Sequence, residues 1–155
     1  MKNTFSLVFF FLVCLGVSAV GGWVTQTSVN DWYQTLAKPP LNPPDWLFAP
    51  TWITLYVMMA IAGWRVWMRS ANTLRRIALA TFAVQLTLNL VWSFIFFGAK
   101  SPGFAAIEIV FLWVSILATL VIFWCVDRFA GWLMFPYLLW VSFASYLNFA
   151  IFLLN

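Results

Sequence analysis

Five long apolar stretches, separated only by a polar loop and short turns, fill almost the whole of this 155-residue chain. Each stretch is about as long as the roughly 20 apolar residues that one helical crossing of a bilayer requires. Hydrophobic residues make up 65% of the chain and charged residues 8%, too little polar surface to cover a water-soluble domain. The sequence therefore predicts an all-α integral membrane protein, a bundle of five transmembrane helices.

We predict a single domain that covers residues 1–155. Its spans are placed at residues 5–25, 46–68, 74–97, 104–126 and 129–154, and a loop over residues 26–45 joins the first two. The other connections are short, which predicts antiparallel packing of consecutive helices. Residues 1–22 also resemble a secretory signal peptide, but the apolar run continues through Val24, so we expect it to be the first span.

The basic residues lie mostly on one side of this arrangement. Only Lys38 and Lys100 fall on the side of the 26–45 loop, and the opposite side carries Lys2, Arg65, Arg69, Arg75, Arg76 and Arg128. By the positive-inside rule we expect a cytoplasmic N-terminus and a C-terminus on the opposite face. The net charge of +4 comes from residues beside apolar runs, which argues against nucleic acid as a partner.

The residue types needed for most enzyme chemistry are missing. The chain has no histidine, and Cys14 and Cys125 lie in apolar stretches without metal-ligand spacing. There is also no nucleophile–base pair, no pair of carboxylates and no glycine-rich phosphate loop. We therefore predict a binding protein that needs no metal and no resident cofactor.

The segment from Asp31 to Tyr56 is the part of the sequence that most resembles a binding site. It combines three tryptophans with five prolines, and each proline fixes φ and removes a backbone donor. Rigidly held aromatic side chains suit a flat hydrophobic ligand. The alternative interpretation is an aromatic belt at the headgroup level of the bilayer.

Polar residues inside the predicted spans need a reason, because they are costly in lipid. For Gln85 and Asn148 we expect hydrogen bonds between helices. Glu108 lies close enough to the lipid interface to reach water or Lys100, so we expect a structural salt bridge in preference to the alternative, a proton relay. Asn89 shares a helix face with Trp92, and Trp140 shares one with Ala144. These two pairs are predicted to line one cavity.

Several of these motifs resemble the tryptophan-rich sensory protein family, also called translocator protein or peripheral benzodiazepine receptor. The resemblance covers essentially the full length and is that of a bacterial-type member. Its most specific elements are Trp32-Tyr33, Lys38-Pro39, Asn42-Pro43-Pro44-x-Trp46, Pro50-Thr51-Trp52, Leu55-Tyr56, Asn89-Leu90-Val91-Trp92 and the run from Pro136-Tyr137 through Trp140 and Phe143-Ala144 to Leu147-Asn148.

The resemblance implies a five-helix bundle, usually a homodimer, with a pocket capped by the first loop. It implies binding of porphyrins such as protoporphyrin IX, of flat hydrophobic drugs and, in some members, of cholesterol. Carried over by motif, the ligand-binding residues are the pocket residues Tyr33, Pro43, Trp52, Asn89, Trp92, Trp140 and Ala144, with Trp46, Phe48 and Phe143 as their neighbours. Trp52 and Trp140 match tryptophans implicated in light-dependent porphyrin breakdown.

Three functions follow from the resemblance. The first is a membrane receptor or sensor that binds a tetrapyrrole and modulates its level, with porphyrin as ligand and not as cofactor. The second is a transporter of porphyrin or sterol, and the third is an enzyme that degrades protoporphyrin IX in light through Trp52 and Trp140. After Asn148 the chain reads FAIFLLN, without the Tyr and Arg of the animal cholesterol-recognition pattern, which disfavours sterol transport.

Overall fold

The computed structural model describes residues 2–155 and contains only helices and connecting turns over that range. Five helices are long and apolar enough to cross a membrane, which confirms the predicted fold class. The helices are α1 (Lys2–Gln26), a single-turn α2 (Trp32–Thr35), α3 (Phe48–Trp67), α4 (Thr73–Ser93), α5 (Pro102–Val126) and α6 (Arg128–Leu154). A 3₁₀ turn (Asp45–Leu47) precedes α3, and a π-helical turn (Phe94–Gly98) extends α4.

When the π-helical turn is counted with α4, the observed helix ends lie no more than three residues from the predicted span limits. Two local features were not predicted, namely α2 within the loop and the π-helical turn after α4. Pro50 lies in the first turn of α3, where the missing N–H would have no helical acceptor. Pro136 lies inside α6 and cannot donate to the carbonyl four residues earlier.

The five long helices form a ring in the order α1, α3, α6, α5, α4 and back to α1. The pairs α4/α5 and α5/α6 pack along much of their length, as expected for antiparallel neighbours joined by short turns. In contrast, α3 and α4 meet only over a short stretch, although a short turn joins them. The bundle therefore leaves an interior space among α1, α3, α4 and α6.

Two glycines mark where helices approach most closely. A Cβ added at Gly63 on α3 would lie 2.8 Å from the ring of Phe10 on α1. A Cβ added at Gly131 on α6 would lie 2.9 Å from the backbone of Trp124 on α5. Both contacts lie in the half of the bundle that carries the arginines, and only a residue without a side chain fits there.

An ion-pair cluster closes the arginine-rich end of the bundle, which we call the basic end. Asp127, between α5 and α6, accepts hydrogen bonds from Arg65 and Arg69 and from the backbone N of Ala130, 3.0 Å away. Burial by itself would raise the pKa of Asp127, but these hydrogen bonds lower it to about 2. Arg75 donates to the carbonyls of Trp67 and Arg69 and so holds the turn after α3.

The expectation for Glu108 was wrong. Among residues 2–155 the only ion pairs are those of Asp127 with Arg65 and Arg69, so Glu108 has no salt bridge with Lys100. Instead Glu108 is buried on α5, and neither of its carboxylate oxygens has a hydrogen-bond partner. Glu108 follows the first residue of α5 by six positions. This spacing places it on the same buried face of the helix as Ala105, Ile109 and Leu112.

Candidate functional site

A large cavity lies among α1, α3, α4 and α6, beneath the 26–45 loop, and has a volume of about 560 Å³. This volume falls within the roughly 300–1,000 Å³ typical of small-molecule sites. We call it the aromatic cavity. Its lining comes from Leu15, Ser18, Ala19, Gly21, Gly22, Thr25, Gln26, Val29, Tyr33, Asp45, Phe48, Ala49, Trp52, Ile53, Tyr56, Asn89, Trp92, Ser93, Phe96, Phe97, Trp140, Ala144, Leu147, Asn148 and Ile151.

Seven of the ten ligand-binding residues inferred from the resemblance line this cavity. They are Tyr33, Phe48, Trp52, Asn89, Trp92, Trp140 and Ala144. The other three lie outside its lining. Trp46 is 71% exposed on the 3₁₀ turn, Pro43 lies in the extended part of the loop, and Phe143 packs behind Trp140 with ring centroids 5.8 Å apart.

The wall formed by α3 and α6 is built from indole and phenol rings. Trp52 lies edge-on to Trp140 with ring centroids 6.4 Å apart and edge-on to Tyr137 at 6.2 Å. Phe48 lies edge-on to Trp140 at 5.9 Å. Edge-to-face packing of this kind holds each ring in one orientation. The two tryptophans with a predicted photochemical role are therefore neighbours within the cavity.

The opposite wall is formed by the end of α4. Trp92 stacks on Phe96 with ring centroids 5.0 Å apart, and Phe97 lies edge-on to both. The π-helical turn, in which the N of Ala99 donates to the carbonyl of Phe94 over 2.7 Å, widens the backbone here. The wider turn lets consecutive Phe96 and Phe97 both face the cavity, and such turns are frequent at functional sites.

A chain of neutral hydrogen bonds lies at the inner end of the cavity, and we call it the tyrosine–asparagine network. The hydroxyl of Tyr56 donates to Oδ1 of Asn89, and Nδ2 of Asn89 donates to the hydroxyl of Tyr137 over 2.9 Å. All three residues are buried. The network joins α3, α4 and α6 without placing a charge in the membrane interior.

A second interhelical link is made by Asn148. Its Oδ1 accepts from Nε1 of Trp92 over 2.9 Å, and its Nδ2 donates to the carbonyl of Pro102 over 2.8 Å. The expected interhelical hydrogen bond of Asn148 is thus confirmed. Gln85 makes only a long contact to the sulfur of Met59, and its Oε1 has no partner. Nε1 of Trp140 also has no partner.

The 26–45 loop covers the cavity and is fixed at three points. Ser28 donates to the carbonyl of Phe97 over 2.5 Å, and Nε2 of Gln34 donates to Asp45 over 2.8 Å. Asn155 exchanges two hydrogen bonds with the backbone of Ala37. The Ser28 bond ties the loop to the π-helical turn after α4, and the Asn155 bonds tie it to the end of α6. The Gln34–Asp45 bond lies within the loop and joins its two ends, so the loop forms a defined cover.

Tyr33 is the loop residue that reaches furthest into the bundle. It is buried against Phe96 and Phe97, and its hydroxyl donates to Asn42 over 3.1 Å. Burial and the nearby negative charge of Asp45 raise the pKa of Tyr33 to about 12, against the weaker opposing effect of Asn42. The phenol therefore stays neutral at physiological pH and offers hydrogen bonding without charge.

The cavity opens sideways between α1 and α3 at the loop end, and we call this gap the α1–α3 opening. In its first half α1 packs on α3 through Phe10 and Gly63, but at Gly21 it faces Leu90 and Ser93 of α4 instead. The lining residues Leu15 and Ile53 are 39% and 53% exposed along this gap. Both residues lie within membrane-spanning segments, so the opening faces lipid.

The lining of the aromatic cavity is mostly apolar and contains few ionisable groups. Asp45 at the rim is the only carboxylate among the lining residues. Over residues 2–155 no group of three His, Cys, Asp or Glu side chains comes together to hold a metal ion. The polar contacts on offer are hydroxyl, amide and indole groups, which orient a ligand rather than react with it.

The contribution of α1 to the cavity was not predicted from the sequence. Ser18, Ala19, Gly22 and Thr25 line it, and a Cβ added at Gly22 would meet nothing within 4 Å. Small residues at three- and four-residue spacing are the signal that could have identified this face. Tyr56 was also missed as a lining residue, although it follows Trp52 by one helical turn.

The chain is similar to proteins from bacteria and animals over nearly its whole length. It is 42% identical to the tryptophan-rich protein TspO of Chlorobaculum tepidum, over 99% of this chain and 98% of that protein. It is 40% identical to protein CrtK of Rhodobacter capsulatus, over 94% and 90% of the two chains. It is 34% identical to the translocator protein of Sus scrofa, over 87% and 83%. The model of the TspO/MBR family matches residues 10–154, and the chain belongs to that family.

Proposed function

We propose that the protein is a membrane receptor or sensor that binds porphyrin-type tetrapyrroles, or related flat hydrophobic ligands, in the aromatic cavity. The observation that carries the proposal is the meeting of Trp52, Trp140, Trp92 and Phe96 around one space of about 560 Å³. Facing aromatic walls match a flat conjugated macrocycle in both shape and polarisability. Through such binding the protein would modulate tetrapyrrole levels.

The polar groups of the cavity suit a metal-free porphyrin. Burial of the ring would contribute roughly 25 cal/mol per Å² of apolar surface. Tyr33 and Asn89 would add hydrogen bonds at the edge of the ring. With no histidine in the chain, an iron porphyrin would lack its usual axial ligand.

The test is quenching of tryptophan fluorescence by protoporphyrin IX in the dark, with the purified protein in detergent. We expect saturable quenching, and an apparent Kd that rises at least about fivefold in Trp140→Phe, the factor that corresponds to about 1 kcal/mol of lost contact. The matched control is Trp132→Phe, which removes an indole that is 57% exposed on the outer face of α6. The control should keep the wild-type Kd.

Two results would contradict the binding proposal. Quenching that rises linearly with porphyrin would mean that the porphyrin only partitions into the micelle. An equal change of Kd in Trp140→Phe and Trp132→Phe would mean that it binds outside the aromatic cavity.

Light-dependent degradation of the bound porphyrin is a second candidate, because Trp52 and Trp140 are in contact and both line the cavity. An indole beside an excited porphyrin could donate an electron to it. Illumination of the complex should then yield an absorbing product in wild type and none in Trp52→Phe, with dark binding of the variant retained. Product formation that is equal in both proteins would exclude this role for Trp52.

A further inference from the structure

A second, smaller pocket lies at the basic end, remote from the aromatic cavity. It has a volume of about 240 Å³ and is lined by Trp64, Arg65, Met68, Arg69 and Asp127. We call it the Arg65–Arg69 pocket. Arg65 lies in the last turn of α3 and Arg69 two residues after its end, and the side chains of both bond to Asp127. Its volume is below that of most small-molecule sites and suits a compact group.

The two guanidinium groups have hydrogen-bonding capacity left over. Arg65 uses Nε and Nη2 on Asp127, and Arg69 uses the same two atoms. Each guanidinium carries five N–H donors in a rigid fork, so the Nη1 edge of each remains available in the described structure. The side chains are 34% and 52% exposed, so both edges can be reached from outside.

The charge of the pocket is positive even after its internal ion pairs are counted. Asp127 already accepts from both arginines and from the N of Ala130, and its side chain is 2% exposed. One carboxylate against two guanidinium groups leaves a charge of +1. Arg75, Arg76 and Arg128 also lie at the basic end of the described chain, so five arginines face one carboxylate there, a net charge of +4.

The surroundings of the pocket match the headgroup region of a bilayer. Exposed apolar side chains flank it at the helix ends, with Trp67 at 46% exposure, Met68 at 41% and Phe129 at 53%. The guanidinium of Arg75 lies 5.2 Å from the ring of Trp67, and that of Arg65 lies 4.8 Å from the ring of Phe129. Aromatic rings and arginines combined in this way are typical of the membrane–water boundary.

We propose that the Arg65–Arg69 pocket binds the phosphate group of an anionic phospholipid, with the free guanidinium edges holding the phosphate and the acyl chains lying against the flanking apolar side chains. Arginine forks bind phosphate oxygens in a bidentate manner. Basic pockets at the cytoplasmic ends of transmembrane helices bind anionic headgroups, and this is the side on which the arginines are predicted to lie. This proposal is independent of the ligand of the aromatic cavity.

The experiment titrates the detergent-solubilised full chain with phosphatidylglycerol or phosphatidylcholine and counts bound lipid by native mass spectrometry. Wild type should retain phosphatidylglycerol in preference to phosphatidylcholine. Arg69→Gln should weaken phosphatidylglycerol binding about fivefold or more, the factor that corresponds to about 1 kcal/mol. The matched control, Arg76→Gln, removes the same charge from the same end but makes no contact with Asp127 in the described structure, and should change binding less than twofold.

Three results would overturn the proposal. Equal losses in Arg69→Gln and Arg76→Gln would show that the lipid responds only to overall charge. Equal retention of both lipids by wild type would show that the pocket does not select an anionic headgroup over a zwitterionic one. Displacement of phosphatidylglycerol by millimolar inorganic phosphate would reassign the pocket to a free anion.

If Arg69→Gln fails to fold, a variant that keeps the positive charge takes its place in the test. Arg69→Lys retains the positive charge but loses the planar fork, so it should still weaken phosphatidylglycerol binding. In wild type the binding should also fall as NaCl is raised. Binding unaffected by both changes would contradict the proposal.

Discussion

The two ends of the bundle stabilise their buried polar groups in different ways. At the basic end Asp127 is buried but charged, and two partly exposed arginines and a backbone N–H neutralise it. At the loop end the cavity uses neutral groups, the tyrosine–asparagine network and the Trp92–Asn148 bond. The difference follows from depth, because ionised groups are tolerated where water still reaches them and neutral hydrogen bonds are cheaper in the membrane interior.

Helix packing also differs between the two ends, being close at the basic end and open at the loop end. At the basic end helices touch so closely that Gly131 leaves no room for a methyl group. At the loop end α1 separates from α3, and Gly22 faces empty space. One end therefore carries much of the stability of the bundle, and the other keeps a space that a ligand can enter. Substitutions at Asp127, at Asn89 and at two glycines test this contrast, in order of decreasing effect.

The largest effect is expected for Asp127→Ala. The change leaves two arginines without their carboxylate and removes the side chain that caps the start of α6. We expect the free energy of unfolding to fall by about 2–4 kcal/mol, less than for a fully buried pair because both arginines are partly exposed. Unfolding in mixed micelles, followed by circular dichroism, measures it. Asp31→Ala, in the exposed loop, is the control and should cost less than about 0.5 kcal/mol.

The same ion pairs predict a pH dependence. The pKa of Asp127 lies at about 2 in the folded protein, below its ordinary value of 3.8, so the contribution is complete above about pH 5 and is lost as the pH falls toward 2. The loss amounts to about 2 kcal/mol at most. Asp127→Asn should flatten this part of the stability curve. An unchanged acid limb in Asp127→Asn would place the titrating group elsewhere.

A somewhat smaller effect is expected at the loop end for Asn89→Leu. The change leaves the hydroxyls of Tyr56 and Tyr137 buried without their partner, which should cost about 1–3 kcal/mol of unfolding free energy. It should also weaken porphyrin binding, because Asn89 lines the cavity. Both quantities are measured on the same preparation by unfolding and by fluorescence quenching.

Two further variants give this prediction its controls. Thr87→Val removes a hydroxyl on an exposed face of α4 that bonds only to the carbonyl of Ala83, and should be near neutral. Adding Tyr56→Phe and Tyr137→Phe to Asn89→Leu removes the orphaned hydroxyls, and should restore most of the lost stability. A triple variant as unstable as Asn89→Leu would show that the network contributes through shape and not through hydrogen bonding.

The smallest effect is expected from a pair of glycine substitutions. Gly131→Ala should cost about 1–2 kcal/mol, because the new methyl group meets the backbone of Trp124 at 2.9 Å. Gly22→Ala should be neutral or stabilising by up to about 1 kcal/mol, since it meets nothing and alanine favours the helix. Melting temperatures of the two variants decide the comparison, and equal values would contradict the contrast in packing.

The sequence predicted the helices better than the contacts between them. Apolar length alone located the five spans, because a membrane helix must satisfy its backbone internally whatever it packs against. The lining residues Trp52, Asn89 and Trp140 could be proposed from the family resemblance. Among the three expected neighbours, Phe48 lines the cavity whereas Trp46 and Phe143 do not. The resemblance could not tell them apart, because exposure and the packing behind Trp140 depend on how the helices are rotated.

Two other features depend on tertiary structure that no local pattern encodes. Glu108 lies within reach of Lys100 along the chain, but the rotation of α5 turns it inward, away from that partner. No local pattern links Asp127 to its partners Arg65 and Arg69, which lie about sixty residues earlier in the sequence. Long-range ion pairs of this kind become visible only when α3 and the start of α6 are brought together.

The α1–α3 opening has a consequence for how affinity should be expressed. A hydrophobic guest that meets the protein through a gap facing lipid is dissolved in the bilayer, not in the buffer. Its occupancy is then governed by its mole fraction in the membrane, so adding empty vesicles at constant total guest would empty the cavity while the aqueous concentration hardly changed. The added bilayer would thereby compete with the cavity for the hydrophobic guest.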